Sequence, residues 1–181
     1  MAQALYRSIN IAKEYYVIAL ILMLITCVIC FYCKHDISVS LAWALLVGYV
    51  FLVYSSTVIR RIPTANFKFE GRLFWSYIAA KEGKEYLVSL NIANVLMLIP
   101  VGFLVPRIRN LGCKKVALIG LFVSSAIEVS QLVFKRGLFE FDDIFHNTLG
   151  CVIGYMIYRL FEYVRSKVRI LIREKGTEQE A

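Results

Sequence analysis

Residues 15–33 read YYVIALILMLITCVICFYC and contain no Asp, Glu, Lys or Arg. Two further runs share this property, residues 37–59 and 86–106. About 20 mostly apolar residues are enough to cross the hydrocarbon core of a bilayer, about 30 Å thick, as a helix. A helix is expected because lipid offers no hydrogen-bond partners to an unpaired backbone. These three runs therefore predict membrane-spanning helices.

The second half of the chain adds two weaker candidates. Residues 116–134 carry a single charge, Glu128, and residues 144–158 carry none. We therefore predict an all-α, polytopic membrane protein with about five transmembrane helices. The predicted spans lie near 15–34, 37–59, 86–106, 115–134 and 143–161, and the last is the shortest.

The composition of the whole chain points to the same class. Of its 181 residues, 59% are hydrophobic and 19% are charged, whereas soluble domains have about 45–50% apolar and about 25% charged residues. A globule of this size lacks the interior volume to bury so much apolar surface. The high content of aromatic and branched aliphatic residues excludes disorder. The sequence therefore predicts a multi-pass protein of the cell membrane.

The chain divides into three segments. Residues 1–85 hold two spans and a loop, residues 86–161 form a three-helix core, and residues 162–181 form a basic tail. The loop, residues 60–85, mixes aromatic with basic residues, which is typical of a segment at headgroup level. It is interpreted as an interfacial segment, with a re-entrant element as the alternative. Apolar residues around the start of the tail recur at helical spacing, which predicts an interfacial amphipathic helix.

The basic residues give the chain a net charge of +8 and lie at the ends of the spans. Membrane proteins normally carry basic residues there, so we do not expect nucleic-acid binding. The positive-inside counts for the two sides are nearly equal. Short loops weigh most in that rule, and RIRNLGCKK at 107–115 holds four basic residues. We therefore expect this loop and the C-terminus in the cytoplasm, and the loops 60–85 and 135–142 outside.

Polar side chains inside a membrane span are costly, so they are candidates for a functional site. In the first two clusters below, the members lie three or four residues apart and share a helix face, and in the third they crowd the entrance of a helix. The clusters are Asn91 and Asn94 in the third span, Ser124, Glu128 and Gln131 in the fourth, and Asp142, Asp143, His146 and Asn147 at the start of the fifth.

Glu128 is the only charged residue in its span. A lone carboxylate at that depth is either protonated or paired with a cation. Arg136, just past the same helix, is the candidate partner. The alternative is a buried hydrogen bond to Asn91 or Asn94 that joins two helices.

Asp142 and Asp143 have two interpretations. Acidic residues at a helix N-terminus cap its free amides, which explains one of them. Paired carboxylates near an arginine can also perform acid–base chemistry, or bind a divalent cation with phosphate as co-ligand. No other cofactor is expected.

Gly150 and Gly154 lie four apart in an apolar helix and predict a close-packing face. This face could also join the chain to a second copy or to another membrane protein.

The stretch from residue 91 to residue 158 resembles the VanZ-like family of bacterial membrane proteins. The matching residues are NIANVLMLIPVGFL at 91–104, SSAIEVSQ at 124–131, Arg136, DDIFHNTLG at 142–150 and Gly154. The founding member is associated with resistance to the glycopeptide antibiotic teicoplanin. The resemblance places the family motif on Asn91, Asn94, Glu128, Gln131, Arg136, Asp142, Asp143 and Asn147.

The chain departs from this family pattern in three places. The first helix, near 15–34, looks like an addition to a four-helix pattern. The outward loop lacks the Pro-Phe pair expected there, and Glu140 stands where an Asp is expected.

We hypothesise a polar site near the outer interface that binds or modifies a lipid or cell-envelope component. The candidate acids or bases are Glu128, Asp142 and Asp143. Arg136 would bind an anionic headgroup, and the further binding residues are Gln131, Asn91, Asn94, Asn147 and His146. The alternatives are a proton- or ion-coupled transporter, and a non-catalytic module that assembles through the Gly150 and Gly154 face.

Overall fold

The computed structural model describes the backbone of residues 2–179 and the side chains of residues 14–172. Two strands of three residues each, β1 (Lys68–Glu70) and β2 (Leu138–Glu140), accompany the helices. A π-helical turn, Ser55–Ile59, extends the second helix. The helices are α1 (Ala2–Tyr32), α2 (Ile37–Tyr54), α3 (Trp75–Lys81), α4 (Tyr86–Ile108), α5 (Cys113–Val133) and α6 (Phe141–Gln179).

Four helices within the described residues are long and apolar enough to cross a membrane. They are Glu14–Tyr32, Ile37–Ile59, Tyr86–Ile108 and Cys113–Val133, and they agree with the first four predicted spans. Their outward faces remain apolar, since Leu118 is 63% and Phe122 75% exposed. Such surface is stable against lipid but not against water. The chain is therefore a polytopic helical membrane protein.

The predicted fifth span, 143–161, forms the first half of α6. It falls outside the four apolar spans because its start carries several polar side chains. It packs against both α4 and α5, so protein rather than lipid surrounds this polar end. The amphipathic tail is the continuation of the same helix, which runs unbroken to Gln179 and is about 58 Å long at 1.5 Å per residue.

The close-packing face predicted at Gly150 and Gly154 lies inside the chain. A Cβ atom on Gly150 would lie 1.9 Å from the carbonyl oxygen of Val95, and one on Gly154 would lie 2.1 Å from that of Ile99. The prediction of close packing is therefore confirmed, with α4 as the partner. The same glycines cannot also join the chain to a second protein, because α4 covers them.

One end of the bundle carries both the loop 60–85 and the loop between α5 and α6, and we call it the loop face. There β1 pairs in parallel with β2, with Phe69 opposite Phe139. The two rings stack with their centroids 5.1 Å apart. The short sheet therefore joins two loops that are far apart in sequence, and it holds them over the ends of α4, α5 and α6.

Candidate functional site

The predicted polar residues of α4, α5 and α6 converge just below the loop face. We use the name loop-face site for a set of neighbouring polar side chains, some of them buried and some exposed to solvent. It consists of Arg61, Asn94, Glu128, Gln131, Glu140 and Asp143.

Asp142 binds the start of α3. Its carboxylate accepts hydrogen bonds from the backbone N–H of Phe74, from the N–H of Ser76 at 3.1 Å, and from the Ser76 hydroxyl. Asn91 donates to that hydroxyl at 2.9 Å. Free amides at a helix N-terminus need such acceptors. Asp142 is 0% exposed, so the geometry supports its capping interpretation, although the capped helix is α3 rather than its own.

His146 fixes the same region from the next turn of α6. Its Nδ1 lies 2.6 Å from the carbonyl oxygen of Asp142, and its Nε2 lies 2.7 Å from the hydroxyl of Tyr77. Because a carbonyl can only accept, Nδ1 donates, and Nε2 of the neutral ring then accepts from Tyr77. The predicted binding residue His146 is thus buried and occupied by internal contacts.

Asp143 points to a different neighbour. Asn94 of α4 donates to its carboxylate at 2.6 Å, and Asp143 is only partly buried. The adjacent aspartates therefore serve different elements, one at α3 and one at α4. Among the described residues no group of three or more His, Cys, Asp or Glu side chains is placed to hold a metal ion. A divalent cation at this pair stays a prediction.

Glu128 is 1% exposed and lies between two elements of the loop face. Its carboxylate accepts the backbone N–H of Glu140 at 3.0 Å. Gln131 donates to the other carboxylate oxygen at 3.4 Å. The expected partners of Glu128, Arg136 or the asparagines of α4, do not bond to it. Through its hydrogen bond with the Glu140 backbone, the carboxylate instead links α5 to β2.

Arg136 contacts the end of α2 rather than Glu128, and its role in binding a headgroup stays a prediction. Its guanidinium donates to the carbonyl oxygens of Val58, at 3.3 Å, and of Ile59. These carbonyls lie at the end of the π-helical turn, where the last carbonyl groups of a helix attract a nearby cation. The Val58 carbonyl also accepts the backbone N–H of Arg61 at 3.3 Å. Arg136 therefore holds the end of α2.

Arg61 is the cation of the site, and the sequence analysis missed it. Its Nη1 donates to the side-chain oxygen of Gln131 at 2.9 Å, and Arg61 is exposed. Gly137 leaves room for this contact, since a Cβ there would lie 2.2 Å from the Gln131 oxygen and 2.6 Å from the Arg61 nitrogen. Nothing in the sequence distinguishes Arg61 from the adjacent Arg60.

Glu140 is a second residue that the sequence analysis did not assign to the site. Its carboxylate accepts a hydrogen bond from the indole N–H of Trp75 at 2.8 Å. Burial, and then the neighbouring carboxylate of Asp143, raise the pKa of Glu140 from 4.5 to about 7, against the lowering effect of the Trp75 bond. A carboxyl with this pKa can exchange a proton near neutral pH. The only sequence signal was its position where an Asp was expected.

Asn147 lies deeper in the bundle. Its amide nitrogen donates to the hydroxyl of Ser124 at 2.8 Å, and its side-chain oxygen is buried without a partner among the described residues. It joins α5 to α6 and does not reach the loop face.

These features define a class of protein: a helical membrane protein whose last three long helices close around charged and amide side chains at one end. The VanZ/LLP1 family model matches residues 16–162. The chain belongs to this family. The match includes the membrane span of α1, so the expectation that the first helix is an addition to the family pattern is wrong. No curated protein and no solved structure matches the chain.

Proposed function

We propose that the loop-face site binds the headgroup of a lipid or of a lipid-linked cell-envelope component, and that this lowers susceptibility to teicoplanin. The observation that carries the proposal is the pairing of exposed Arg61 with buried Gln131. Among the described residues Gln131 is the only hydrogen-bond partner of the Arg61 guanidinium. The remaining N–H donors of its planar guanidinium suit a phosphate or carboxylate.

Two carboxylates near Arg61 supply hydrogen-bond acceptors, whereas Arg61 supplies donors. Asp143 and Glu140 are partly exposed and can accept hydrogen bonds from hydroxyl or amine groups of a headgroup. The pKa of Glu140, raised to about 7, also supports an acid–base role for this residue. The catalytic role predicted for Asp142 has less support, because its carboxylate is used to bind α3.

The surroundings suit a ligand that approaches from the membrane surface. Phe74, Trp75 and Tyr77 flank the site from the start of α3, and aromatic residues of this kind concentrate at headgroup level. Phe74 and Tyr77 are exposed. They can contact the first carbons of a lipid while its headgroup reaches Arg61.

The two alternatives predicted from the sequence have less support. Ion or proton transport needs a polar path, but the opposite half of the bundle packs Leu98, Val101, Val105, Val116 and Cys151 into one apolar core. An assembly module would need its glycine face, which α4 covers.

The test is the teicoplanin susceptibility of a sensitive bacterium that expresses the chain or its variants at equal membrane levels. We expect Arg61→Gln, Glu128→Gln and Asp143→Asn to return susceptibility to that of the empty vector. The matched control is Arg109→Gln, an exposed arginine at the opposite end of α4, which should behave as wild type. Wild-type susceptibility in all three site variants would refute the proposal.

A further inference from the structure

A cavity lies between α1, α2 and α4, apart from the loop-face site. Its volume is about 320 Å³, and we call it the α1–α2 cavity. None of its lining residues belongs to the loop-face site. They are Tyr15, Tyr16, Tyr49, Leu52, Val53, Ser55, Ser56, Arg60 and Met97.

The lining changes from polar to apolar along the cavity. Ser55, Ser56 and Arg60 lie on the π-helical turn and just after it, nearest the loop face. Leu52 and Met97 lie deeper in their spans. Such a gradient matches an amphipathic ligand, with its charged group near the membrane surface and its chain in the hydrocarbon region.

One buried hydroxyl in this cavity has no hydrogen-bond partner within the described part of the chain. Ser55 is 1% exposed, and its Oγ forms no hydrogen bond among the described residues. The next two hydroxyls, of Ser56 and Thr57, both donate to the carbonyl of Val53, at 2.9 and 2.7 Å. Buried polar groups are nearly always paired, and an exception calls for a partner. The Ser55 hydroxyl is therefore available to a ligand.

Two of the lining residues join neighbouring helices. The hydroxyl of Tyr49 donates to the carbonyl oxygen of Met97 at 2.8 Å, which ties α2 to α4. Tyr15 and Tyr16 lie at the start of the first span, Glu14–Tyr32, and tyrosines are enriched at the membrane surface. The tyrosines therefore favour a position of this end of the cavity near the membrane surface.

We infer that the α1–α2 cavity binds one anionic phospholipid, with its phosphate at Ser55 and Arg60 and its first acyl carbons against Leu52 and Met97. Serine hydroxyls and arginine side chains are the donors that phosphate oxygens prefer. π-helical turns are often found at functional sites, and here the turn places Ser55 in the lining. This lipid site goes beyond the proposed function and requires none of the loop-face residues.

The experiment is native mass spectrometry of the full chain in detergent, titrated with phosphatidylglycerol or with phosphatidylcholine of the same chain length. We expect one tightly bound phosphatidylglycerol and weaker phosphatidylcholine binding. Ser55→Ala and Arg60→Gln should each weaken phosphatidylglycerol binding by about fivefold, the effect of losing one net hydrogen bond. Ser55→Ala should fold normally, because the Ser55 hydroxyl forms no hydrogen bond with the residues that the structure describes.

The controls test whether the effect is specific to this cavity and separate a lipid from a free anion. Arg109→Gln, at an exposed arginine outside both sites, should bind phosphatidylglycerol as wild type does. Glycerol phosphate, which has the same charged group without acyl chains, should not displace the lipid. Unchanged lipid binding in both Ser55→Ala and Arg60→Gln would overturn the inference, and so would displacement by glycerol phosphate, which would indicate a site for free phosphate.

Discussion

Replacing Asp142 by alanine should destabilise the protein by about 3–5 kcal/mol, a typical cost of removing one partner from a buried charged interaction. The carboxylate accepts three hydrogen bonds from Phe74 and Ser76. Each bond to a charged group contributes about 1.5–3 kcal/mol, so their plain sum is larger. The expected loss is smaller than this sum because α3, only seven residues long, can detach and expose its amides to water.

An asparagine at the same position keeps one acceptor oxygen but turns an N–H₂ group toward a donor. We therefore expect Asp142→Asn to lose about 1–3 kcal/mol, less than the alanine variant. The measurement is unfolding in detergent, together with limited proteolysis at Lys81 and Lys84, which border α3. Both sites should be cut faster in Asp142→Ala.

The control is Asp36→Ala. Asp36 also precedes a helix, but its side chain makes no capping hydrogen bond and is exposed, so its replacement should leave stability unchanged. If Asp142→Ala unfolds as wild type does while teicoplanin resistance is lost, Asp142 acts in the chemistry and the capping argument is wrong.

Two further changes test the packing and the electrostatics. Gly150→Ala should force α4 and α6 apart and lower stability by at least about 1–3 kcal/mol, the usual cost of overpacking, whereas Gly112→Ala, whose Cβ would meet nothing within 4 Å, should melt as wild type. Since folding raises the pKa of Glu140 from 4.5 to about 7, its protonated form is favoured in the folded state. Its stabilising contribution is full below pH 4.5 and is lost as the pH rises through about 7. The melting temperature of wild type should therefore fall relative to that of Glu140→Gln between about pH 5 and about pH 8. Trp75 fluorescence should titrate near pH 7 in wild type alone, and a midpoint near 4.5 would contradict the burial argument.

The spans were predictable because a charge-free run of sufficient length has few stable places outside a membrane. The runs 37–59 and 86–106 accordingly match α2 with its π-helical turn and most of α4. The fifth helix was harder to predict. Its start is polar, and only contact with α4 and α5 makes that polarity stable in the membrane.

The polar residues of the site were also predictable in part. Glu128 and Asn94 stand out because each is expensive inside a span. The energetic cost of burying these side chains does not predict which groups they form hydrogen bonds with. Glu128 bonds to the backbone of Glu140 and Asn94 to Asp143, and both contacts depend on how α4, α5 and α6 pack.

The sequence by itself determined which segments enter the membrane and which side chains are costly there. The sequence could not show that Arg61, rather than Arg136, lies at the loop-face site, because each arginine closely follows the end of a membrane helix. That choice depends on the π-helical turn, whose final carbonyls bind Arg136, and on the pairing of β1 with β2 between distant loops. Tertiary structure also gave the adjacent Asp142 and Asp143 different partners, because neighbouring side chains on a helix point about 100° apart.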